Sequence, residues 1–206
     1  MKSQVTIIDY NMGNIHSLLS AVKYLGYNCK VSNKVNDLRE ASHLILPGVG
    51  EFKTAISNLE KLDLVEEIKS IYKRKRAKIL GICLGMQLLS ESSSEGGGGK
   101  GLGLIPCSTE KLNSSDGKRI PHIGFNEVIF PKESLLGSWT DSPKDFYFVH
   151  SYCLPFADLK NAKVGLTSYA QEFISLYEND PIYATQFHPE KSQTNGLYLL
   201  KSFLEL

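Results

Sequence analysis

From Val5 to Leu89 short apolar runs alternate with amphipathic helical stretches, and no other feature narrows the possible folds of this chain as far. Val5 to Asp9, Cys29-Lys30-Val31, Leu44-Ile45-Leu46 and Lys78-Ile79-Leu80-Gly81-Ile82 read as strands. Between them, Asn14 to Leu25 places Leu18, Leu19, Val22 and Leu25 on one helical face, and Phe52 to Leu59 and Leu64 to Tyr72 continue the helical pattern. Strand and helix in turn at this spacing predict an α/β fold with a mainly parallel central sheet and helices on both faces.

The second half changes character. Ser92 to Gly103 is rich in Ser and Gly and reads as a loop, with Gly96 to Gly99 its most mobile part. Beyond it, Phe146 to Val149, Lys163 to Thr167, Ile174 to Tyr177 and Ile182 to Phe187 are aromatic and β-branched, separated by turn residues such as Asn179-Asp180-Pro181. They read as antiparallel hairpins, closed by a helix from about Thr194 to Leu204. With no internal repeat and no dividing linker, residues 1–206 are expected to form a single mixed α/β domain.

Composition removes several classes of function. A formal net charge of +1 offers no field to recruit nucleic acid or an anionic membrane. The Lys73-Arg74-Lys75-Arg76 cluster is expected to close an exposed helix, where cations favour the negative end of the dipole. No apolar stretch is long enough to span a membrane. Met1-Lys2-Ser3-Gln4 runs straight into Val5 without a charged leader and cleavage site, which points to a cytoplasmic location. The four cysteines, Cys29, Cys83, Cys107 and Cys153, lack the spacing of a zinc site or a disulfide framework. They read as free thiols, and no metal is expected; Cys29, Cys107 and Cys153 read as packing residues.

Cys83 is different. Gly81-Ile82-Cys83-Leu84-Gly85 sets it where a strand turns into the helix Leu84 to Leu89. Glycines on either side let the chain fold tightly, and a nucleophile on such a turn is held in strained geometry at the positive end of a helix dipole. Composition alone would make it a buried core cysteine; the strand before, the helix after and the paired glycines favour a nucleophile. A thiol needs a base, and the base needs an orienting group. Of His16, His43, His122, His150 and His188, the last follows a strand and has Glu190 two residues on, which an extended segment would place on the same side. A third element, Pro47-Gly48-Val49-Gly50, follows a parallel strand. Its backbone N–H groups, with that of Leu84, could converge on a developing oxyanion. The rival reading, a phosphate-cradling loop, lacks the P-loop lysine and the full dinucleotide fingerprint.

Pro-Gly-Val-Gly, Gly-Ile-Cys-Leu-Gly-Met-Gln and Gln-Phe-His-Pro-Glu-Lys-Ser, in that order, resemble the triad-type class I glutamine amidotransferases. Ile8-Asp9-Tyr10-Asn11-Met12-Gly13-Asn14, Lys100-Gly101-Leu102-Gly103-Leu104-Ile105, Pro121-His122-Ile123-Gly124-Phe125-Asn126 and Tyr147-Phe148-Val149-His150-Ser151-Tyr152 narrow the likeness to the glutaminase subunits of imidazole glycerol phosphate synthase, end to end. The resemblance implies the three-layer fold of that family and hydrolysis of L-glutamine by Cys83, His188 and Glu190 without a cofactor. It implies an oxyanion hole from Gly48, Val49, Gly50 and Leu84, and a substrate pocket from Gln87, Glu95, His150, Ser151 and Tyr152. It also implies ammonia transfer to a separate (β/α)₈-barrel cyclase subunit in a heterodimer, with His122, Ile123, Asn126 and Lys191 at the docking side. Phe125 stands where tryptophan is usual in the family and Asn11 where glycine is common. Both bear on which partner is used: a paralogue supplying ammonia for amidino-sugar synthesis is the alternative, and an inactive scaffold a reading from another class. A cysteine hydrolase acting on peptides is a further rival.

Overall fold

The computed structural model describes residues 4–113 and 117–206, so Met1 to Ser3, where the leader argument begins, lies outside the described residues. The first half runs β1 (Val5–Ile8), α1 (Ile15–Tyr24), β2 (Cys29–Ser32), α2 (Val35–Glu40), β3 (His43–Leu46), α3 (Phe52–Lys61), α4 (Leu64–Lys73), β4 (Lys78–Ile82) and α5 (Leu84–Leu89). The second half runs β5 (Ser92–Ser93), β6 (Gly99–Lys100), β7 (Glu110–Lys111), β8 (His122–Val128), β9 (Lys144–His150), β10 (Tyr152–Pro155), β11 (Lys163–Tyr169), β12 (Gln171–Asn179), β13 (Ile182–Thr185) and α6 (Gln193–Leu204).

The main sheet has the order β2-β1-β3-β4-β13-β12-β10-β7, with β11 also on β12. From β2 to β13 neighbouring strands are parallel, and from β13 onward they are antiparallel. The parallel strands are apolar along their length because both faces are covered. Val5, Ile7, Ile45, Leu80 and Ile82 join a cluster with Leu18 and Val22 of α1 and Leu199, Leu200 and Phe203 of α6. Ile8, Leu44, Leu46 and Ile79 join the opposite cluster with Leu59 of α3, Ile68 and Ile71 of α4 and Leu88 of α5. This is the three-layer α/β arrangement read from the sequence.

Four differences from that reading have local causes. The helix α2 is too short for periodicity to reveal and buries only Leu38; Arg39 pins it to α4 through two hydrogen bonds to Glu67, at 3.0 and 2.7 Å. Residues 92–100 form a small β5–β6 hairpin and only 101–103 stay irregular, because Gly96, Gly97 and Gly98 all take positive φ and turn the chain tightly. Strand β13 is antiparallel to β12 but parallel to β4, so only one of its two edges is a hairpin edge. His122 to Asn126, to which periodicity assigns no element, lie within strand β8, paired with β9 in a separate ribbon. The basic cluster does close α4: Lys73 is its last residue, and all four side chains are exposed. Cys107 and Cys153 are buried, while Cys29 is only partly so.

Candidate active site

Register brings the distant residues together. Because β13 lies parallel to β4 with Ile82 opposite Thr185, both chains leave the sheet at the same carboxyl edge, where ligands of open α/β sheets bind. The Cys83 N–H donates to the Thr185 carbonyl at 2.7 Å. Cys83 itself carries the strain, at φ 54 and ψ −109, a region costly for a residue with a side chain. Gly81 and Gly85 are not at positive φ. They are there for close approach: a Cβ on Gly85 would overlap the Leu46 carbonyl oxygen, and one on Gly81 would meet Leu89 and the Gly85 carbonyl.

His188 donates its backbone N–H to the Tyr147 carbonyl at 2.9 Å. Its Nδ1 lies 2.9 Å from Glu190 Oε1, with both side chains almost wholly buried. The two meet through a single 3₁₀ turn, Pro189–Lys191, and not through the extended segment expected from the sequence. Nδ1 is therefore the protonated nitrogen in the neutral ring, which leaves Nε2 to act as base. Burial is the largest influence on this imidazole and pulls it down. The negative charge and hydrogen bonding of Cys83, then Glu190, outweigh it and lift the ring to about 10. Nε2 is buried, with the Cys83 sulfur as its neighbour. The sulfur lies 3.9 Å from the Val149 carbonyl oxygen and 3.7 Å from Gln186 Nε2.

A small cleft opens over the sulfur, lined by Val49, Gly50, Cys83, Leu84, Gln87, Glu95 and the strand-to-strand segment Val149 to Tyr152. The two loops proposed for oxyanion and substrate, and the helix between them, thus share one cavity. Gly48 sits beneath it: a Cβ there would lie 2.7 Å from both Leu84 Cβ and the Tyr10 hydroxyl. Tyr10, buried beside Cys83, donates to the Pro47 carbonyl at 2.6 Å. Burial first, and the sulfur's charge second, raise its phenol far above the usual range. Glu95 accepts from the Phe52 N–H at 2.9 Å, so the pocket carboxylate also holds the first turn of α3, just past Gly50. Gln87 is buried; its Nε2 donates to the Tyr152 carbonyl at 2.9 Å and to Gln186 Oε1 at 3.2 Å.

The wall of the cleft is braced by two neutral histidines. His150 Nδ1 donates to the Tyr152 carbonyl at 2.9 Å, so its Nε2 must accept from His122 Nδ1 at 3.0 Å. His122 Nε2 then accepts from Asn126 at 3.3 Å. Burial above all lowers His122 to about 4 and His150 to about 3. Of the residues expected at a docking side, His122 is therefore turned inward and Asn126 is only partly exposed. Ile123 is 60% exposed, as is its β8 neighbour Phe125 at 51%, and both project from the outer face. Phe125 packs edge-on against Tyr147 at 5.6 Å, and Lys191 lies over the same ring at 5.7 Å. Tyr147 is thus shared between this outer patch and His188.

The sequence reading omitted Gln186 and Tyr10, although both lie inside segments it quoted; only proximity to the sulfur marks them. Among the described residues no cluster of His, Cys, Asp and Glu could hold a metal ion, and no helix is long and apolar enough to cross a membrane.

Residues 6–206 match the profile of the family described as glutamine amidotransferase class-I. The imidazole glycerol phosphate synthase subunit HisH 2 of Vibrio vulnificus is 41% identical over 98% of this chain and 94% of that protein. Subunit HisH 1 of Campylobacter jejuni is 41% identical over 98% and 100%. A crystal structure of a glutamine amidotransferase superposes with a TM-score of 0.77 over 98% of this chain and 97% of that one, at 20% identity, which speaks for the fold alone. A strained cysteine at the turn from β4 into α5, a buried His–Glu pair beside it and near-complete coverage at this identity lead to one conclusion: the chain belongs to the class I glutamine amidotransferases and, within them, to the HisH subunits of imidazole glycerol phosphate synthase.

Proposed function

We propose that residues 1–206 act as one glutaminase domain that releases ammonia from L-glutamine for a cyclase subunit of imidazole glycerol phosphate synthase. The observation that carries this is the buried His188–Glu190 pair, 2.9 Å apart, brought to Cys83 at the shared carboxyl edge of β4 and β13, beneath a cleft that Gln87 and Glu95 also line. His188 Nε2 takes the Cys83 proton, and the sulfur attacks the substrate carboxamide carbon. The resulting oxyanion is held by the Leu84 N–H and by backbone N–H groups of Gly48, Val49 and Gly50. The imidazolium returns its proton to the departing nitrogen, ammonia leaves, and a γ-glutamyl thioester remains on Cys83. Water deprotonated by His188 then attacks the thioester, the C–S bond breaks, the imidazolium returns the proton to the departing sulfur, and glutamate is released. Gln87, Glu95, His150, Ser151 and Tyr152 hold the amino-acid end of the substrate.

Ammonia must reach the acceptor without meeting water. The partner in this reading is a (β/α)₈-barrel cyclase seated over the cleft as a heterodimer in the cytoplasm, making imidazole glycerol phosphate and AICAR from PRFAR. Ile123, with Phe125, Tyr147 and Lys191, supplies the outer contact; His122 and Asn126 support it from within. Cys83→Ala should abolish synthesis from glutamine while leaving synthesis from ammonium salts intact in the complex. Survival of both would end the enzyme reading.

A further inference from the structure

We propose that Gln186 is a donor to the nucleophile: its side-chain N–H supports the ionised sulfur of Cys83, and Gln87 holds its amide in the donating orientation. The inference rests on the glutaminase reading and adds a residue to its machinery.

Gln186 is fully buried. It stands one residue past β13, where Cys83 stands one residue past β4, and its backbone N–H is fixed to the Ser175 carbonyl at 2.9 Å. Which end of its amide meets the sulfur follows from the hydrogen-bond network. The Tyr152 carbonyl can only accept, so the Gln87 atom 2.9 Å from it is the NH₂ group. That same nitrogen lies 3.2 Å from Gln186, so the Gln186 atom it meets is the oxygen. The NH₂ of Gln186 is then directed to Sγ, at 3.7 Å. Turning either amide over would set two donors or two acceptors against each other in a buried site, which is costly.

The chemical consequence concerns charge on sulfur. When the Cys83 proton passes to His188 Nε2, the S–H bonding pair stays on the sulfur as a negative charge, in a site where the Val149 carbonyl oxygen, 3.9 Å away, opposes it. The Gln186 N–H offsets that opposition. Once the S–C bond forms, the charge moves to the substrate oxygen and the N–H···S contact weakens. Gln186 therefore governs how much reactive sulfur exists before attack, and leaves the tetrahedral intermediate to the oxyanion donors.

The test is the pH dependence of Cys83 alkylation by iodoacetamide in the full chain, with a Cys83→Ala control to subtract Cys29, Cys107 and Cys153. Gln186→Met keeps length and removes the donor; Gln186→Glu keeps shape and adds a carboxylate that repels the ionised sulfur. The half-maximal pH should rise by about one unit in the first and by more in the second. With the cyclase partner, kcat at neutral pH should fall about tenfold while KM stays within about threefold. A purely structural Gln186 would change stability but not the alkylation midpoint, so a wild-type midpoint in either folded variant overturns the proposal. Failure of the wild-type complex with its liganded cyclase to turn over glutamine would instead defeat the functional reading, which the alkylation profile does not depend on.

Discussion

Gly85 of α5 rests directly on the carbonyl oxygen of Leu46 at the end of β3, so close that the Cβ of any other residue would overlap it. The helix that begins beside Cys83 is thereby seated on the strand that feeds Pro47 to Gly50. Cys83 and the Pro47-to-Gly50 loop keep their spacing because one glycine lets two backbones touch. Gly85→Ala must push them apart. Overpacking of this kind should lower stability by about 1–3 kcal/mol, with a larger relative loss of glutaminase activity. Urea unfolding and steady-state turnover, measured side by side, check both.

Glu190 holds one nitrogen of His188 so that the other is free for the sulfur. Glu190→Gln keeps the shape but removes the charge and permits the wrong tautomer. Glutamine-dependent kcat should fall by about 10²–10³-fold, while ammonium-dependent synthesis by the complex is unchanged. An equal fall in both activities would show that the variant disturbs docking rather than the triad.

Tyr10 fixes the Pro47 carbonyl from beneath the cleft. Tyr10→Phe leaves that buried carbonyl without its donor, at a cost of about 1–2 kcal/mol. If the bond sets the path of the following residues, kcat should drop with little change in KM. Thermal unfolding and glutaminase kinetics together separate the two effects.

The buried pair His122 and His150 makes stability depend on pH. Both rings are depressed in the folded state, to about 4 and about 3, against about 6.5 in the unfolded chain. The unfolded state therefore binds more protons between these limits. Stability is fully present above about pH 6.5 and is lost as pH falls below it, on the order of 2 kcal/mol per ring by pH 4.5. His122 stacks between Phe148 and Tyr169, at 4.7 and 3.9 Å, so His122→Phe should fit and flatten this dependence. Tm measured from pH 4.5 to 7.5 in both proteins tests it.

Val49 is 46% exposed at the mouth of the cleft, and Gly50 sits at φ 126. An oxyanion loop whose peptide points the wrong way until the partner presses on it would leave the isolated chain nearly silent. Glutaminase turnover should rise when a cyclase subunit carrying its nucleotide ligand is added. Equal rates with and without it would reject the coupling.

Much of this protein was written locally. Short apolar runs between amphipathic helices could bury both faces of each strand only in a covered parallel sheet, and Cys83 between close-packing glycines marked the elbow. The motif from Gln186 to Glu190 contained the buried His188–Glu190 pair within one turn. Tertiary structure decided the rest. Ile182 to Thr185 reads as a hairpin strand from its own residues, yet it pairs in parallel with β4, a partner about 100 residues away along the chain. Local periodicity cannot encode that choice, because it depends on which edge the whole chain leaves uncovered. The same pairing sets Gln186 beside the sulfur. The inward turn of His122 depends likewise on the β8–β9 ribbon meeting the main sheet, so a residue expected at the surface instead braces the pocket wall.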